Sequence, residues 1–384
     1  MTGSYRLMGS YGFSRHPMQE GTSTPDLSQP LQPGAAPYFV VTGTADGTKV
    51  SVKLGPTGKV VAGNGIIATP AGGTVTFRLD TGDVAEVLGG TGREFDFSGS
   101  LLTADKPVQV ITGAPCIDYP LDTVACDHVE ETVFPAQTLG RHYAVTTPTG
   151  PKKNRVAHAV RLCGNVDGTT LTYKPSAPPG CPSSLDAGDV VDCGELTNLD
   201  FEVKGTHELG VAMLMIGASK ADPSFNGSSF TVLQGDPSQS FAVTVAQYRL
   251  KYVFLAPNDY KTNFVDVIAP AGTKVDLDST DVTSKLTPIA GTDFLIGRLE
   301  LVNAGDGTHV LKADKPVGIQ VLGYGDYTTY MFPGGLNLGE KNRAHSSELS
   351  EKLQPWAGPR AKLGGGGSGC PTFARAAPAR EVRR

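Results

Sequence analysis

Along most of this chain, apolar and polar side chains alternate with a period of two. Val50, Val52 and Leu54 alternate with Lys49, Ser51 and Lys53, and an extended backbone sends the two sets to opposite faces. Residues 73–79, Gly-Thr-Val-Thr-Phe-Arg-Leu, repeat the pattern. Each stretch follows a Gly-containing turn, so the pattern predicts half-buried strands separated by tight turns. No stretch sustains the 3.6-residue period of an amphipathic helix; a short helix is predicted only over residues 347–352.

The strand pattern recurs. Thr103-Ala-Asp-Lys-Pro-Val returns as Lys312-Ala-Asp-Lys-Pro-Val, with a weaker copy, Lys204-Gly-Thr-His-Glu-Leu, between them. Asp46-Gly-Thr, Asp167-Gly-Thr and Ala271-Gly-Thr keep similar time, as do the strand openings at Tyr38, Tyr143 and Tyr252. A unit of about 105 residues fits three times between Tyr38 and Leu338. Proline after Asp-Lys reads as a turn leading into a strand, where its missing N–H costs no ladder bond. The first copy has only nine residues from its opening Tyr to the Gly-Thr turn, against about 25 and 20 in the others. It therefore reads as having lost an edge strand or a loop, as a truncated start would produce.

Composition narrows the fold class. With 48 Gly and 28 Pro in 384 residues, a mainly helical protein is excluded, since both residues disfavour helix interiors. The expectation is an all-β protein of three tandem related antiparallel units packed as sandwiches; a closed pseudo-threefold arrangement is the alternative. The predicted division is a disordered segment 1–37, repeats at about 38–114, 133–219 and 241–338, and a flexible Gly-rich basic tail over 339–384. The run 364–369 within that tail reads as a linker.

The net charge of −5 is unevenly spread. Residues 341–384 carry nine Lys or Arg against three Glu, which leaves an acidic body and argues against nucleic acid as a partner. No apolar run approaches the length needed to cross a bilayer, so membrane insertion is not expected. The N-terminus has no signal-peptide core, which taken alone points to the cytoplasm. The cysteines point outward instead. Cys116 and Cys126 lie ten apart, Cys181 and Cys193 twelve apart, spacings that suit disulfides across a loop or hairpin and fit neither a zinc nor a redox motif. Six inert thiols are the alternative. Cys163 reads as a buried thiol, and Cys370 has no evident partner. Export is favoured, with a start upstream of Met1 or a trimmed leader.

Catalytic spacings are missing. The seven histidines are isolated in sequence, and there is no nucleophile elbow or P-loop. Asp276-Leu-Asp-Ser-Thr-Asp281 offers three carboxylates but lacks the calcium-loop pattern, so it reads as a polar turn. His128 lies among acidic residues in Cys126-Asp-His-Val-Glu-Glu131; it is the centre of the rival reading, a metal-assisted hydrolase. Tyr324, Tyr327 and Tyr330 make the densest aromatic cluster and are the possible ligand surface, with core packing as the competing role. No cofactor is expected.

At these residues the chain resembles a known family. Cys116 with Cys126-Asp-His-Val-Glu-Glu-Thr-Val-Phe-Pro135, Tyr252-Val-Phe-Leu-Ala-Pro-Asn-Asp-Tyr260 and Pro333-Gly-Gly-Leu-Asn-Leu338 are similar to the IgGFc-binding protein N-terminal domain. Polar turns and the Gly-Ala-Pro tail look more like a bacterial-type member. The resemblance implies a secreted or cell-surface module, non-enzymatic and adhesive, binding an extracellular protein or glycan. A structural spacer in a cell-envelope assembly is the third reading.

Overall fold

The computed structural model describes residues 3–20, 24–123, 126–225, 232–302 and 305–335. Among the described residues strands dominate, and helix is confined to the single turn Ala218–Ala221 and three short 3-10 turns. In the first unit, one sheet runs in the order Gly3–Arg6, Leu101–Ala104, Thr48–Lys53, Thr74–Leu79. The other runs Asp127–Thr132, Val108–Ile117, Tyr38–Gly43, Val84–Leu88. The period-two pattern places Tyr5, Val50, Val52, Val75 and Leu102 of one sheet against Phe39, Val41, Val87 and Val110 of the other, in a single core. Each fully buried aliphatic side chain there contributes roughly 1.5–3 kcal/mol.

The second and third units repeat this order strand for strand. Each has an opening strand (Gly140–Val145; Arg249–Leu255), a second (Ala159–Gly164; Thr262–Pro270) and a third (Thr169–Lys174; Val275–Leu277). A flanking strand (Val190–Asp192; Phe294–Leu301), a long corner strand (Phe201–Met215; Thr308–Gly325) and a closing strand (Ser238–Phe241; Thr328–Pro333) complete them. The corner strand belongs to both sheets. Its first half pairs with the opening and third strands, and its second half pairs with the second and closing strands. In the first unit, residues 105–107 divide this strand into Leu101–Ala104 and Val108–Ile117. Strands that change sheet at a bend make the corners of sandwiches.

The recurring motifs are the fastenings of that corner. Asp105 and Asp314 accept the backbone N–H of Lys49 and Lys274, both at 2.8 Å, and the Thr206 hydroxyl accepts that of Thr170 at 3.0 Å. Lys106 and Lys315 reach the carbonyls of Asp46 and Ala271, just before the turn glycines. Gly47, Gly168 and Gly272 have φ of +67°, +66° and +70°, a region costly for residues with a Cβ. The buried threonine after each closes the turn, with Thr48, Thr169 and Thr273 donating to the carbonyl three residues back.

A tyrosine completes each corner, and here the structure revises the repeat. Tyr143 Oη donates to Leu209 O at 2.7 Å and Tyr252 Oη to Val317 O at 2.5 Å. The counterpart in the first unit is Tyr5, donating to Val108 O at 2.8 Å, whereas Tyr38 lies on the second strand. The first unit has therefore lost no strand, since its opening strand is Gly3–Arg6, well before the expected boundary at residue 38. The disorder expected over 1–37 does not hold for the described residues 3–20 and 24–37. Leu7 and Met8 are buried, and Phe13–Arg15 pairs with Gln32–Ala35. Low overall hydrophobicity hid the one short apolar alternation, Tyr5 and Leu7, that the core uses. The strand groups 3–132, 140–241 and 249–333 replace the predicted repeat limits. The tail 339–384, with Cys370 and the expected helix, lies outside the described residues.

Candidate binding surfaces

Both expected disulfides are formed. Cys116–Cys126 joins the end of a corner strand to the start of a closing strand, with Cα atoms 5.3 Å apart. The loop it holds carries Asp118, which accepts from Arg93 at 3.1 Å, and Asp122, which pairs with His16 at 2.6 Å. Cys181–Cys193, with Cα atoms 4.1 Å apart, ties the flanking strand of the second unit to the loop after its third strand. Cys163 is free and buried, packed with Met8, Ala212 and Phe241 between the first two units; burial pushes its thiol up to about 11.

The three tyrosines of the predicted ligand surface do not share one surface. Tyr324 is fully buried and donates to Thr149 O of the second unit at 2.7 Å, so its inclusion is corrected. It sits on the second half of a corner strand, where the outward face is covered by a neighbouring unit. Tyr330 is half-buried; it donates to Asn263 Oδ1 at 2.7 Å, meets Tyr260 edge-on at 4.7 Å and stacks on Phe332 at 5.8 Å. Tyr327 is 38% exposed and projects from the 325–328 turn, where Lys261 pairs with Asp326 at 2.6 Å. The aromatic group that forms is thus Tyr260, Tyr330 and Phe332 at one end of the third sandwich, with Tyr327 on the adjoining turn.

His128 stands on the outward face of the first unit. Its Nε2 is 2.7 Å from Tyr38 Oη and 3.7 Å from Glu130 Oε2. Burial, reinforced by Glu130, pushes the Tyr38 hydroxyl up to about 12. Cys126 is committed to its disulfide, and among the described residues no group of three His, Cys, Asp or Glu converges on a metal-sized site. The acidic run 276–281 forms a hairpin turn through Asp278 and Ser279, with φ of +50° and +67°. There Asp278 binds His309 Nδ1 at 2.7 Å and Asp281 caps Thr283 N.

The sequence reading missed the charges buried between units. Arg161, on the second strand of unit two, faces unit one. It pairs doubly with Asp192 at 2.8 and 3.1 Å, with Asp96 at 2.6 Å, and donates to Gly9 O at 2.8 Å. Burial lowers its affinity for a proton, but Asp96 and Asp192 outweigh that and hold it charged. The same strand position in unit three is Asp266, buried against unit two. It accepts from Thr149 N at 3.0 Å and Thr149 Oγ1 at 2.5 Å. Burial raises its carboxyl to about 6 against the opposing pull of Arg298 and the Thr149 donors. Arg298, its cross-strand neighbour, bonds Thr147 and Asp200 across the same junction. A charge inside an otherwise apolar strand, as in Val160-Arg-Leu-Cys163, was the available signal.

A model of the family described as IgGFc binding protein matches residues 3–323. The chain belongs to this family. The human IgGFc-binding protein is 27% identical over 390 residues, an alignment covering 95% of this chain and 7% of the human protein. The chain thus spans a small fraction of its relative's length. That relative is human, and the comparison lends no support to a bacterial-type assignment. No solved structure matches. The match begins at residue 3, where the first unit's opening strand begins. The chain is thus a member of this family with an all-β structure that carries two disulfides. None of its described helices is long and apolar enough to cross a membrane.

Proposed function

We propose that this chain is a non-catalytic recognition module, secreted or displayed at a cell surface, which binds a protein or glycan through the aromatic end of its third unit. The carrying observation is the grouping of Tyr260, Tyr330 and Phe332 beside the exposed Tyr327. Tyrosine offers broad contact area at low entropic cost, and such residues dominate binding energy at interfaces. The Lys261–Asp326 pair supplies a polar rim. Two disulfides support an oxidising compartment. The name of the human relative makes immunoglobulin Fc the first ligand to try. The hydrolase reading centred on His128 has little behind it, because Tyr38 and Glu130 use that imidazole in a surface network.

The test is surface-plasmon binding of the whole chain to immunoglobulin Fc and to a panel of glycoproteins. Tyr327→Ser and Phe332→Ser are expected to weaken any ligand by at least about tenfold while the circular dichroism stays unchanged. Full binding by both variants would overturn the assignment to this end of the molecule.

A further inference from the structure

The two junctions inside the chain use one docking geometry, and the outer faces of the first and third units present both halves of it again. At each junction the outward face of one unit's opening strand meets the outward face of the next unit's second sheet. Ala144, on the opening strand of unit two, packs with Phe294 and Ile296 of unit three's flanking strand. At the first junction the flanking-strand residue in the same register is Val190, packed with Met8 and Phe134.

In the first unit that register position belongs to Val84, which is 61% exposed. Leu88, on the same face, is 46% exposed. At the other end, the position of Ala144 is taken by Val253, 60% exposed, with Leu255 at 51%. Apolar side chains are thus bared at the two places where the internal geometry would bury them. Glu86 stands between Val84 and Leu88, while Val253 and Leu255 are successive positions on one face. Exposed apolar residues grouped at positions that are buried elsewhere in the fold mark association sites. The ends also differ in charge. Glu86 and Glu130 stand on the first unit's outward face, whereas Lys251 and Lys312 stand on the third unit's, beside Asp276, so the lysines of one end can meet the glutamates of the other and fix orientation.

We infer that the third unit of one copy docks on the first unit of a second copy, repeating the internal junction between molecules. The contact is head-to-tail, so it leaves a free end at each side and propagates into chains of molecules. The occupant is a second copy because a unit of this kind offers the matching register and places Lys251 and Lys312 toward the first unit's glutamates. This inference rests on the junctions and is independent of the aromatic site in unit three.

The test uses the full chain in sedimentation velocity across a concentration series. The wild type is expected to show mass rising with concentration beyond a dimer. Val84→Asp and Val253→Asp each remove one half of the contact, and each alone is expected to remain monomeric, with association at least about tenfold weaker. Mixed together they retain one intact half each, and the mixture is expected to stop at a heterodimer. Both substitutions are at exposed positions, and unchanged thermal melting confirms that folding is intact. A monomeric wild type at the highest concentrations reached would overturn the inference. So would variants that associate like the wild type, or a mixture that stays monomeric.

Discussion

At the first junction the outward residue of the second strand is Arg161; at the second junction the same position holds Asp266. Their cross-strand neighbours are exchanged to match, Asp192 opposite Arg161 and Arg298 opposite Asp266. The first junction buries a saturated cation, with carboxylates contributed by both units. The second buries a carboxylate met by neutral donors from Thr149 and sends its arginine to Asp200 and Thr147 of the preceding unit. The apolar contact differs as well. Phe264, Leu322, Tyr324 and Met331 of unit three merge into the core of unit two, whereas the first junction keeps smaller clusters of its own. One backbone arrangement therefore tolerates either sign of charge, each met by opposite charges or polar donors from both units.

Removing Arg161 breaks the comparison most sharply. Arg161→Met strands Asp96 and Asp192 between two units, and a loss of about 3–5 kcal/mol is expected in denaturant unfolding. Next comes the disulfide adjacent to Asp192. Cys181→Ser with Cys193→Ser frees the strand that presents this carboxylate, at a cost of about 3 kcal/mol for a loop of this size. Asp266→Asn keeps the shape of the second junction and loses one acceptor. Roughly 1–2 kcal/mol is expected at pH 5, shrinking as pH rises through about 6 to 7, because the buried carboxyl loses native stability once it ionises.

The smallest effect is a pH slope. Burial, with the nearby charge of Asp127, raises Asp236 to about 8, well above a carboxyl in the unfolded chain. The folded state then holds a proton that the unfolded state releases, so this contribution is full below about pH 4 and is lost as pH rises through about 8. His158 acts oppositely. Burial lowers it to about 4, so its contribution is present above about pH 6.5 and is lost as pH falls toward 4. Melting temperature is expected to decline from pH 6.5 to 8, and Asp236→Asn should flatten that decline. An unchanged slope in the variant would assign it to another group.

Much of the architecture was legible because it repeats. Gly47, Gly168 and Gly272 marked matching turns, and Asp-Lys-Pro marked matching corners, since a left-handed turn and a strand changing sheets each restrict the residues allowed. The opening strand of unit one was not legible. Tyr5 and Leu7 are two apolar positions in a polar, Gly-rich stretch, and their partners lie about a hundred residues away. Tyrosine alone does not separate an opening strand from a second strand, so the sequence pattern aligns Tyr38 with Tyr143 and Tyr252, where the structure has Tyr5. The disulfides followed from spacing. The aromatic cluster was legible only in part, because period-two alternation does not say which face of a strand a neighbouring unit covers, and Tyr324 lies on a covered face.

Cys163 gives the first junction a timekeeper. Its thiol is sealed between the first two units, and its raised pKa keeps it unreactive there. Alkylation under native conditions therefore waits for the units to part. In a Cys370→Ser background the labelling rate reads the population of that opened state, without a denaturant or a disturbed contact.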